Sequence, residues 1–109
     1  MYIVCNRIGV NPGYEEAFEA RFAQRDAAVD GMPGFIAFNL LRPQTDGDPY
    51  VVMTFWQDEA SFKGWVESDE FKNQHAKSGQ LPREAFTAHP KLEYFDVIQS
   101  TLKLAADEA

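Results

Sequence analysis

An α+β fold is predicted, one four-stranded antiparallel sheet with its helices on one face, in the order β, α, β, β, α, β. Three observations carry it. Four runs rich in β-branched and aromatic residues are spread along the 109 residues, each of strand length. Two segments between them repeat their apolar residues at helical spacing. Clusters of Asn, Asp, Gly and Pro separate the segments where the chain must turn. The length suits one domain with a real core, expected over residues 1–104, followed by a flexible acidic tail over 105–109.

The first strand is Tyr2 to Val10. At period two, Tyr2, Val4, Asn6, Ile8 and Val10 share one face, while Ile3, Cys5, Arg7 and Gly9 take the other. Asn6 therefore stands among four apolar neighbours. A buried amide left unbonded costs roughly 1–3 kcal/mol, so this position needs a partner, whether a loop, a helix end or a ligand. Cys5 faces the other way and cannot offer a thiolate ligand to the same pocket.

Asn11, Pro12 and Gly13 turn the chain into a helix expected from Tyr14 to about Val29. Its stripe is Ala17, Phe18, Phe22 and Val29, with Glu15, Glu16 and Glu19 on the solvent side. Arg25 interrupts the stripe, so its charge either snorkels to water or meets an anion at the rim of a cleft. Arg21, one turn earlier, could join it on a carboxylate. Asp30 to Gly34 stops the helix, and Phe35 to Arg42 and Tyr50 to Trp56 follow as strands joined by a polar turn. The second of these is apolar on both faces and should be central. Lys91 to Ser100 is the last strand. Before it, Gln80 to Pro90 is a connection long enough to be a binding segment or an oligomer contact.

This order is that of a ferredoxin-like fold. It leaves Ile3, Phe35, Val51, Met53 and Phe55 on a face that no helix covers, a patch rarely left wet. A homodimer is expected, two sheets meeting in a shared α+β barrel.

A net charge of −7 with ten scattered basic residues argues against a nucleic-acid partner. One cysteine excludes an intrachain disulfide and any multi-cysteine metal site, and suits a reducing compartment. No apolar run reaches the roughly 20 residues that cross a bilayer, and no basic-then-apolar leader opens the chain. A cytoplasmic protein without a membrane partner is expected.

The densest stretch is Asp58 to Gly79. Asp58 can cap a helix whose stripe is Phe62, Trp65 and Val66. Ser68 repeats the signal, with Asp69 and Glu70 in the favourable first turn and Phe71 and His75 at i and i+4. Lys77 and Gly79 suit a helix end. Taken singly, His75 more commonly bonds a backbone carbonyl than a metal, and Trp65 more commonly packs a core. His89, in the loop before Pro90, has no companion residues to make a site.

Taken together, Asn6, Trp65 and His75 resemble the triad of the haem-degrading monooxygenases of the antibiotic biosynthesis monooxygenase superfamily, both Isd-type and mycobacterial haem-utilisation type. The resemblance covers nearly the whole chain. It is strongest in CNRIGV, in ARFAQR followed by MPGF, in NLLRP, and in FWQDEASFKGWVESDEFKNQHA. It implies haem as both substrate and cofactor, dioxygen, and electrons from an external donor, an unidentified reductase or a small reductant. His75 would be the axial ligand to the haem iron, its other ring nitrogen held by an acceptor. Asn6 would donate on the distal side toward dioxygen, and Trp65 would press the porphyrin out of plane. Phe22 would form a pocket wall, with Arg21 and Arg25 as candidates for the propionates.

The implied activity is oxidative opening of the porphyrin with release of iron. Two alternatives stay open: a cofactor-independent quinol or polyketide monooxygenase of the same fold, and a non-catalytic haem-binding dimer. The product tetrapyrrole, the fate of the extruded carbon, the reductant and the physiological purpose are not encoded legibly.

Overall fold

The computed structural model describes residues 1–23, 27–69, 71–72 and 81–102. Its strands are β1 (Tyr2–Ile8), β2 (Phe35–Leu41), β3 (Tyr50–Trp56) and β4 (Lys91–Asp96), and its helices α1 (Glu15–Ala23) and α2 (Glu59–Val66). The strands form one antiparallel sheet in the order β2-β3-β1-β4, so the doubly apolar β3 is central as its sequence requires.

The register sets the faces. Asn6 pairs with Val52 on one side and Leu92 on the other, and Ile8 with Tyr50. Tyr2, Val4, Asn6 and Ile8 thus lie with Tyr50, Val52, Thr54 and Trp56 toward the helices, and Ile3, Cys5 and Arg7 lie with Val51, Met53 and Phe55 away from them. Strand ends follow partner availability. β1 stops at Ile8 rather than Val10 because its partner Tyr50 begins β3 directly after Pro49, which has no N–H to give. β4 stops at Asp96, opposite Tyr2, and the register carries one bond further, Val97 N–H to the Met1 carbonyl (2.9 Å), short of the expected Ser100.

Three further expectations are revised. The helix expected to reach Val29 is α-helical over Glu15–Ala23, and Ala27–Gly31 is 3-10, a tightening ahead of Gly31 and Pro33 that Pro33 enforces. Phe35 does not join the uncovered face. An irregularity in the β2–β3 register between Phe35 and Ala37 turns its ring onto Trp56, edge to face at 5.3 Å. The connection after residue 80 is not a free loop. Arg83–Ala85 makes a 3-10 turn, and Asn11 holds it by donating from its backbone to Ala85 (2.7 Å) and from Nδ2 to Glu84 (2.7 Å). The second half of the predicted Ser68–Gly79 helix and the acidic tail lie outside the described residues.

α2 starts as its sequence dictates. The Asp58 carboxylate accepts from Ser61 N–H (2.8 Å) and Ser61 Oγ (2.7 Å). Gly34 takes φ +80°, and a side chain there would run into Ser61, so the turn into β2 and the start of α2 sit against each other only because residue 34 is glycine.

Candidate functional site

Two separate apolar clusters fill the space between sheet and helices. One gathers Tyr2, Val4, Val29, Trp56 and Trp65. The other gathers Ile8, Phe18 and Tyr50, with Phe22, Leu40, Val52 and Phe86 packed on it. On β1 the first cluster ends at Val4 and the second begins at Ile8. Asn6 is the residue between them, on the same face.

The Asn6 carboxamide has a buried Oδ1 with no hydrogen-bond partner among the described residues. No described loop or helix end, the structural partners left open by the sequence, bonds it. An orphaned buried acceptor is the kind of defect a folded chain keeps when something outside the chain is meant to satisfy it. A half-turn of the amide exchanges Oδ1 and Nδ2, so the same spot can offer a donor to a ligand.

The flanking clusters supply aromatic walls. Trp65, on the last turn of α2, is buried, and the ring of Phe71 meets it edge to face at 5.4 Å. Ser68 fixes that juxtaposition: its hydroxyl donates to the Trp65 carbonyl (2.6 Å) and accepts from Phe71 N–H (3.1 Å), which is the cap its sequence position predicts. Phe22, on α1, lies 5.1 Å from the Phe18 ring and 6.0 Å from that of Phe38. Arg21 is half-buried beside it on α1 and makes no ion pair with a described residue. Asn6, Trp65 and Phe22 therefore share the helix-side layer, Asn6 between the clusters of the other two. His75 and Arg25 lie outside the described residues. Cys5 is buried on the opposite face, and burial pushes its thiol pKa up, away from thiolate chemistry.

One group was not legible as functional. Glu19, expected on the solvent side, accepts from Arg42 Nε (2.8 Å), Arg42 Nη2 (2.5 Å) and Tyr50 Oη (2.5 Å). These hydrogen bonds from Arg42 and Tyr50 hold its carboxyl at about 2. Tyr50 was the available signal: a tyrosine opening a central strand needs a partner for its hydroxyl.

An antiparallel sheet with two helices on one face, and a polar amide set between two aromatic clusters, define a ferredoxin-like chain whose candidate site lies between helix layer and sheet. Residues 1–77 match the family model described as antibiotic biosynthesis monooxygenase. The chain belongs to that family. It is 36% identical over 77 residues to a staphylobilin-producing heme oxygenase of Staphylococcus saprophyticus, covering 69% of this chain and 73% of that protein. To a mycobilin-producing heme oxygenase of Mycobacterium tuberculosis it is 42% identical over 61 residues, covering 56% of this chain and 58% of that one. The structure of the heme-degrader MhuD from Mycobacterium tuberculosis, with two hemes bound in its active site, superposes with a TM-score of 0.73 at 31% identity, over 92% of this chain and 98% of that one.

Proposed function

We propose that this chain is a haem-degrading monooxygenase that binds haem between its two aromatic clusters and opens the porphyrin with dioxygen and electrons from an external donor. The observation that carries the reading is the buried Oδ1 of Asn6, without a partner among the described residues and set between the clusters of Trp65 and Phe22 in a chain related to heme oxygenases. A flat apolar macrocycle with oxygen chemistry at its centre is the ligand such a site fits.

Haem brings the iron that activates oxygen and the ring carbon that is attacked. The protein supplies the rest. His75 would hold the haem iron through one imidazole nitrogen. Asn6 would turn its amide N–H toward the bound ligand, where a hydrogen-bond donor would favour oxygen chemistry and where its amide would find a partner. Trp65, locked by Phe71 and Ser68, is rigid enough to bend a macrocycle rather than yield to it. Phe22, backed by Phe18 and Phe38, excludes water from the opposite wall. Arg21 and Arg25 would be the candidates to meet the propionates. The working unit is a homodimer formed through the face opposite the helices, and a reductase or small reductant delivers electrons.

Titrating the apo protein with hemin tests this. A saturable Soret band is expected, lost or displaced in His75→Ala, and bleached when the wild-type complex meets ascorbate in air. A Soret band indifferent to His75→Ala removes the ligand assignment. A band that survives ascorbate leaves a haem-binding dimer, and turnover of a quinol without haem leaves a cofactor-independent oxygenase.

A further inference from the structure

We propose that Glu19 is a positioning residue that latches α1 to the β2–β3 hairpin and thereby sets how long the cleft retains its ligand. The identity of that ligand as haem rests on the reading above.

A nine-residue helix does not hold its place by propensity alone. Three attachments tie α1 to the hairpin. The Phe18 ring lies 4.8 Å from Tyr50, and the Phe22 ring lies 6.0 Å from Phe38 on β2. Between them in sequence, the Glu19 carboxylate takes two bonds from the Arg42 fork and a third from the Tyr50 hydroxyl. Arg42 directly follows β2 and Tyr50 opens β3, so one carboxylate gathers the helix and both strands of the hairpin.

Glu19 lies one turn before Phe22 and meets the Phe22 cluster at the Tyr50 hydroxyl. Its effect passes through the helix. With α1 latched, Phe22 is held at the sheet and the α1 wall stands at a fixed height over Val52 and Asn6. With the carboxylate replaced by an amide, a single neutral oxygen is left to serve both Arg42 and the part-buried Tyr50 hydroxyl, and α1 depends on its apolar contacts. An ordinary exposed ion pair would do little, and Arg42 is indeed 72% exposed. The hydroxyl of the buried Tyr50, in a part-buried bond to the same carboxylate, is what distinguishes this group from one.

The test uses Glu19→Gln, Tyr50→Phe and the double variant, with two readouts: amide hydrogen exchange across residues 16–22 of the apo protein, and the rate at which hemin passes from the loaded protein to apomyoglobin. Glu19→Gln is expected to speed both by about tenfold with β1 and β3 exchange unchanged, as for local rather than global opening. Tyr50→Phe should move both in the same direction, and the double variant should add little to Glu19→Gln, because the two groups form one unit. Unchanged α1 exchange overturns the latch, and so does a loosened α1 from which hemin leaves at the wild-type rate. A wild-type chain that takes up no hemin overturns the haem reading instead, a result that the exchange measurement cannot imitate.

Discussion

At the scale of single residues, Asn6 on the proposed function sets stability against chemistry. Its Oδ1 is buried without a partner among the described residues, so the folded apo chain carries a desolvation cost that the unfolded chain does not. Replacing it with an apolar residue of similar shape removes that cost. Asn6→Leu should therefore raise apo stability by about 1 kcal/mol, read as a higher urea midpoint at unchanged slope, while abolishing oxidative bleaching of bound hemin. A lower midpoint would mean that Asn6 is bonded in solution, and the cleft would lose its defining feature. Asn6 was legible because period-two counting depends only on β1 being extended. Trp65 was legible because Asp58 fixes the phase of α2. Phe35 was not, since an irregularity of register reverses a face without any mark in the local sequence. Glu19 was not either, because an acid beside a helical stripe reads as solvated until the opposing Tyr50 and Arg42 are brought to it.

At the scale of elements, the sequence specified segments better than their ends. β3 has the bounds expected of it, whereas β1, β4 and the α-helix after Gly13 all stop earlier, the two strands at points fixed by partners distant in sequence. The bond between α1 and the hairpin also has a pH signature. Glu19 titrates at about 2 in the folded chain, below the usual carboxylate value of 4.5, because Arg42 and Tyr50 bond its charged form. A lowered folded pKa gives stability that is complete above the unfolded value and is lost as pH falls through the folded one. The stability difference between wild type and Glu19→Gln should accordingly be constant above about pH 6, shrink below the unfolded value and vanish near the folded one. Denaturant melts of both proteins across that range check it. A difference that stays level down to pH 3 would show that the charge of Glu19 contributes nothing.

For the whole molecule, the decisive feature is the sheet face turned away from α1 and α2. Its centre is apolar: Cys5 and Val51 are buried, and Ile3, Met53, Phe55 and Ala37 are half-buried. Its margins remain open, with Leu41 40% and Phe95 45% exposed, and beyond β4 Ile98 stands almost wholly in solvent. Arg7 and Glu93 pair on this face at 2.6 Å, joined by Lys91, so its charges are matched internally and do not repel a like surface. A self-complementary apolar patch flanked by matched charges is what a two-fold interface requires. Phe95 is the best probe, because it lies on the edge strand β4 and its exposure means that the isolated chain hardly depends on it. In the proposed dimer Phe95→Glu would place a charge against the partner at the margin of the paired faces but leave it in water in a lone chain, so the dimer alone would be penalised. Sedimentation should give wild type at twice the 12.4 kDa chain mass and Phe95→Glu at the single mass with an unchanged far-ultraviolet dichroism spectrum. A wild type that is monomeric at micromolar concentration, or a variant that still pairs, would remove the shared barrel and leave each cleft to work within one chain.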